Sequence, residues 1–158
     1  MKRSYRACKA PGMALGAALV AGSLALPAFA ALGGDASSVN ADVAKMKAQA
    51  QATPVNGYTV SQITLPTGTV VNEYVSVEGK VFAVSWSGPA MPNLQQTLGT
   101  YFAAFQAAGS VPHGANHHQL SINQSDLVLR TGGHMRDWHG KAYVPSLLPP
   151  NFSLDEIK

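Results

Sequence analysis

From Thr69 to Ser87 apolar and polar positions follow the period-two pattern of strands, TVVNEYVS and then KVFAVSWS, joined by Val77-Glu78-Gly79. That triplet fits a type I turn closed by a glycine bulge in the left-handed region. Ser76 then faces Lys80, and the register sets Tyr74 opposite Phe82, Asn72 opposite Val84 and Val70 opposite Trp86. The aromatic face is the expected core. The other face, with Val71, Glu73, Val75, Val81, Ala83 and Ser85, is smaller and partly polar. A slip of one residue would exchange the two faces.

Ser87-Gly88-Pro89 stops the second run, and the period changes from 2 to 3.6. Leu94, Leu98, Tyr101, Phe102 and Phe105 mark a broad helical face, opened by Asn93 as N-cap with Gln96 three residues on. Gly99 inside this helix costs about 1 kcal/mol relative to alanine, and close approach to the sheet is the expected return. Gly109 stands where a C-terminal glycine cap belongs. Upstream, Val39, Val43, Met46 and Ala50 draw a thinner stripe, predicting a helix from near Ala36 that ends at Thr53-Pro54-Val55-Asn56-Gly57. Tyr58 to Leu65 reads as a strand, turned at Pro66-Thr67-Gly68. Beyond the polar loop 110–118, short strands are predicted at 119–123, 127–131, 134–139 and 141–145, with Gly132-Gly133 and Gly140 as turns. Residues 147–158 read as a loosely attached tail. The expected fold is α+β: an antiparallel sheet made of a meander plus C-terminal strands, an amphipathic helix on its aromatic face, and an N-terminal helix.

The first 30 residues change the reading of composition. Lys2, Arg3, Arg6 and Lys9 precede a 14-residue uncharged run, Met13 to Leu26, and Ala28-Phe29-Ala30 gives a small-x-small pattern. The run is shorter than the roughly 20 residues a spanning helix needs. A secretory signal peptide cut between Ala30 and Ala31 is expected, leaving 31–158 as a single domain, periplasmic or secreted, with no membrane span. After residue 30 there are seven Lys and Arg against eight Asp and Glu, a net charge of −1 with His neutral. The formal +3 of the whole chain therefore belongs to the leader. No clustered basic footprint calls for a nucleic-acid partner. Cys8, the single cysteine, leaves with the leader, so the fold must rest on its hydrophobic core without a disulfide.

Sequence motifs for chemistry are few. No nucleophile elbow, phosphate loop, dinucleotide fingerprint or HExxH occurs. All five histidines, His113, His117, His118, His134 and His139, fall within 27 residues. The spacing of His113, His117 and His118 resembles that of metal ligands, and Asp137 and His139 would share one strand face. Against a site, the first three sit in a loop with no Cys or carboxylate among them, so no metal or cofactor is expected. Trp86, Trp138, Tyr143, His134 and Arg136 include residue types that dominate binding hot spots. The candidate binding surface is Trp86, Gly88, Pro89, His134, Met135 and Arg136, where strand ends meet glycine breaks.

Several stretches resemble one family: Gly68-Thr69-Val70-Val71-x-Glu73-Tyr74-Val75, Gly79-x-Val81-Phe82-Ala83-Val84-x-Trp86-x-Gly88-Pro89, Pro92-x-Leu94, Leu98-Gly99-x-Tyr101-Phe102 and Gly132-Gly133-His134-Met135-Arg136. With Ala31-Leu32-Gly33-Gly34, they are similar to small exported proteobacterial proteins grouped as domain of unknown function 2844. The resemblance implies an envelope or secreted location and one small domain, with no activity assigned. The expected function is non-enzymatic binding or assembly, with a cell-envelope protein as partner. The alternatives are a periplasmic metal-binding protein using the loop histidines and a hydrolase without a recognisable motif.

Overall fold

In the computed structural model, which describes residues 31–38, 43, 47–110 and 119–158, seven strands form one antiparallel sheet. They are β1 (Gln49–Val55), β2 (Tyr58–Thr64), β3 (Val70–Ser76), β4 (Val81–Gly88), β5 (Gln119–Asn123), β6 (Val128–His134) and β7 (Asp137–Tyr143), in the order β1-β2-β3-β4-β7-β6-β5. Between β4 and β5 run α1 (Leu94–Leu98), a 3₁₀ turn (Gly99–Tyr101) and α2 (Phe102–Gly109). The meander and its C-terminal extension therefore form as expected, with the helical segment packed on one face.

The β3–β4 turn forms as the sequence predicts. Gly79 has φ 77°, its N–H donates to the Ser76 carbonyl at 2.9 Å, and the Ser76 N–H donates to the Lys80 carbonyl at 2.8 Å. The register beyond it differs. Val75 pairs with Val81 but Tyr74 pairs with Ala83, so Phe82 is an extra residue in β4. The pairs Tyr74–Phe82, Asn72–Val84 and Val70–Trp86 do not form; their places are taken by Glu73–Val84, Asn72–Ser85 and Val71–Trp86. The cause is burial on both sides. Val81 through Trp86 are all buried, and the bulge lets consecutive Phe82 and Ala83 join one cluster while Val81, Val84 and Trp86 join the other.

The helical segment consequently covers the face that looked secondary. Leu94 and Leu98 pack there with Ile63, Val71, Val84, Trp86, Leu129 and Ala142, and Glu73 is buried on the same side at 1 % exposure. Asn93 caps α1 as expected, its Oδ1 accepting from the Gln96 N–H at 3.3 Å. Gly99 does break the helix, with φ 52°, but its close neighbour is Ala31, not the sheet. Gly109 is helical; the Ser110 N–H and hydroxyl cap the end instead, both reaching the Gln106 carbonyl.

The tail is docked, where a loose one was expected. Phe152 sits edge-on to Phe82 (centroids 4.9 Å apart) and Tyr58 (5.2 Å), and Ile157 is 4 % exposed. The Tyr74 hydroxyl donates to the Glu156 carbonyl at 3.2 Å and accepts from the Lys158 N–H at 3.0 Å. Tyr58, Tyr74 and Phe82 thus face the tail, because a second apolar layer was available to cover them.

Two further expectations change. The N-terminal helix falls mostly on residues outside those described; Ala36–Ser38 form a 3₁₀ turn, and Gln49 and Ala50, placed at its end, belong to β1. Gly132, Gly133 and Gly140 lie inside strands, and the β6–β7 turn falls at Met135-Arg136, with Arg136 at φ 72°. Gly140 is needed for contact: a Cβ there would lie 2.3 Å from Trp86 Cζ2 on the paired strand.

Candidate functional site

On the tail face one row crosses six strands. Gln62, Asn72, Ser85, Lys141, Arg130 and Ser121 are successive cross-strand partners on β2, β3, β4, β7, β6 and β5. Every member is polar. The neighbouring row, Tyr74, Ala83, Tyr143 and Val128, is largely apolar, and the tail packs on its Tyr74, Ala83 and Tyr143. On the other side stand Ser87, His139, Gly132 and Gln119.

The polar row is divided by residues 157 and 158. Its β2–β4 half is closed: Gln62 Nε2 donates to Asn72 Oδ1 at 3.3 Å, Asn72 Nδ2 reaches the Lys158 main-chain oxygen at 3.3 Å, and the buried Ser85 hydroxyl donates to that same oxygen. Its β7–β5 half is open. There Lys141, Arg130 and Ser121 line a groove of about 960 Å³ with His139, Gln119 and Gly132, walled on one side by Ile157 and Lys158. No Asp or Glu is among the lining residues. Chemically this is a surface of hydrogen-bond donors and positive charge.

Behind the groove wall the tail is fastened by Tyr58, whose hydroxyl donates to Glu156 Oε2. That hydrogen bond above all, with burial and the negative charge of Glu156, pushes the phenol up to about 12.

The residues singled out in the sequence are distributed differently. Gly88 and Pro89 end β4 beside the β6–β7 hairpin: Gly88 pairs with Trp138, which pairs with Gly133. His134, Met135 and Arg136 form the tip, where Met135 is 87 % exposed and His134 Nε2 stands 3.7 Å from Asp137 Oδ2. Trp86 is apart from them: it is 2 % exposed, in the helix-side core, and also borders the groove. Its Nε1 has no hydrogen-bond partner among the described residues. Gly88 has a packing role, since a Cβ there would lie 2.5 Å from Thr69 Cα, and the Thr69 hydroxyl donates to the Ala90 carbonyl at 2.6 Å.

His113, His117 and His118 lie outside the described residues. Among the described residues no group of three or more His, Cys, Asp or Glu could hold a metal ion, and no helix is long and apolar enough to cross a membrane. The groove residues had no local motif to announce them. Their one sequence signal is parity: Ser121, Arg130, Lys141 and Ser85 stand on the same side of their strands, and only the strand order makes them neighbours.

No curated protein and no solved structure matches the chain. A family match covers residues 28–157, nearly the whole of the described structure, and it takes in the bulged hairpin, the helical segment, the groove strands and the tail to Ile157. The chain belongs to the family described as Protein of unknown function (DUF2844).

Proposed function

We propose that this chain is an exported, non-enzymatic binding protein, periplasmic or secreted, whose ligand lies in the groove between the tail and strands β4, β7, β6 and β5. The observation that carries the reading is the open half of the polar row. Lys141, Arg130 and Ser121 face a cavity of about 960 Å³, within the range of roughly 300–1,000 Å³ usual for small-molecule sites. Export is supported by the basic and apolar leader and its small-x-small end, Ala28-Phe29-Ala30. The reading as a binder is supported by a lining rich in donors and without Asp or Glu. The exposed Met135-Arg136 tip with His134, beside Gly88-Pro89, is the contact this reading gives to a cell-envelope protein.

The experiment is purification from the periplasm of the expressing cell, followed by native mass spectrometry. The expected result is a protein beginning at Ala31 that carries a small molecule, lost when Ser121→Trp blocks the groove. A protein retaining residues 1–30 in the cytoplasm would overturn the export reading. A ligand that stays bound in Ser121→Trp would overturn the groove.

A further inference from the structure

Arg130 and Lys141 are directly opposite on β6 and β7. Cross-strand partners hold their Cβ atoms about 4.5–5.5 Å apart, and like charges so placed destabilise a sheet. Neither side chain takes part in an ion pair among the described residues, where the pairs are Lys80–Asp35 and His134–Asp137. The wall of the same groove adds Lys158. Of the seven Lys and Arg that follow residue 30, three therefore line one groove, in a stretch whose net charge is −1. The concentration of cations is local, and no Asp or Glu is among the lining residues.

Resting on the groove reading above, we infer that the ligand is a small molecule bearing a carboxylate or phosphate group, held between Arg130 and Lys141 with Lys158 on the opposite wall. The guanidinium of Arg130 offers a planar fork of donors that matches a carboxylate or phosphate, and Lys141 adds a compact charge. Ser121 and Gln119 supply neutral donors on the β5 side. The anion removes the repulsion between the two cations, so the bound protein gains from a pairing that costs the empty one. Three cations in a pocket of this size suit a molecule with one or two acid groups. A nucleic acid draws on a longer basic track interleaved with stacking aromatics.

The test measures thermal unfolding and backbone amide chemical shifts with sodium citrate and with sodium pyrophosphate, each against sodium chloride at equal ionic strength. Maltotriose serves as the uncharged probe. Citrate or pyrophosphate is expected to raise Tm and move the amides of Ser121, Arg130 and Lys141, and the better of the two separates carboxylate from phosphate recognition. Arg130→Gln and Lys141→Gln are each expected to weaken the apparent affinity about tenfold or more. Without the anion these variants unfold at the parent temperature or about 1–4 °C above it, because the cross-strand repulsion is gone. That separates lost binding from lost folding. Arg130→Glu, which pairs with Lys141, keeps the fold and abolishes the response. If maltotriose moves the groove amides and neither anion does, the oxyanion inference falls and the groove stands. If none of the three probes moves them, both fall.

Discussion

Gly99 and Gly109 belong to one helical segment, yet alanine should have opposite effects at the two positions. At Gly99 the backbone has φ 52° and a Cβ would lie 2.2 Å from the Cβ of Ala31, itself only 5 % exposed. Left-handed backbone and overpacking each disfavour a side chain there, so Gly99→Ala is expected to lose about 1–3 kcal/mol. At Gly109 nothing lies within 4 Å and φ is not positive, so Gly109→Ala gains about 0.5 kcal/mol from helix propensity and a less flexible unfolded chain. Urea midpoints at unchanged m-value measure both; a Gly99→Ala protein as stable as the parent would rule out the packing on Ala31. Propensity alone would call both substitutions favourable. The glycine marked a close approach in the sequence, but its partner, the Ala31-Leu32 segment, could not be read from local pattern.

Among the elements, the tail depends on chemistry that its composition hardly announces. The Tyr58 hydroxyl donates to Glu156 across 98 positions of sequence, and its pKa is pushed up from 10.0 to about 12, first by that hydrogen bond. The folded chain therefore holds this proton to higher pH than the unfolded chain. The contribution is complete below pH 10 and is lost as pH rises toward 12. Tyr58→Phe is expected to cost about 1 kcal/mol at pH 8, and the gap between parent and variant should narrow at pH 10 and again at pH 11. Urea midpoints at the three values measure it, and a gap independent of pH would exclude the ionisation as the cause. The strands differ in how far sequence gave them away. β3 and β4 were legible because alternating apolar residues flank a glycine turn. β1 was not, because all seven of its residues are exposed and QAQATPV carries no apolar period. β6 and β7 were cut at their glycines, which serve contact with Trp86 and with the neighbouring backbone of Asp137 and Trp138.

For the whole molecule the decisive feature is that the central strands are buried on both sides, by the helical segment on one face and by residues 145–158 on the other. Alternation describes a strand with one buried face, so it identified β4 but put Phe82 and Trp86 on one face under the helix, where the bulge leaves Trp86 on the helix side and turns Phe82 to the tail. The groove was hidden for a related reason: it lies between residues 157 and 158 and the side chains of four strands, which only the strand order brings together. The arrangement makes Phe152 the hinge of both stability and site. Its ring meets Tyr58, Tyr74 and Phe82, yet it is only partly buried, so Phe152→Ala is expected to cost about 2–3 kcal/mol, below the loss at a fully buried phenylalanine. The loss should be local first. The Glu156 and Ile157 amides donate to Ser153 and Leu154 carbonyls and the Lys158 amide to the Tyr74 hydroxyl, so hydrogen exchange at these three should accelerate in the variant. The β3 and β4 amides should remain protected, because the helix-side core is untouched. Exchange of the three tail amides at unfolded rates in the parent protein would refute the docked tail, and with it the wall that closes the groove.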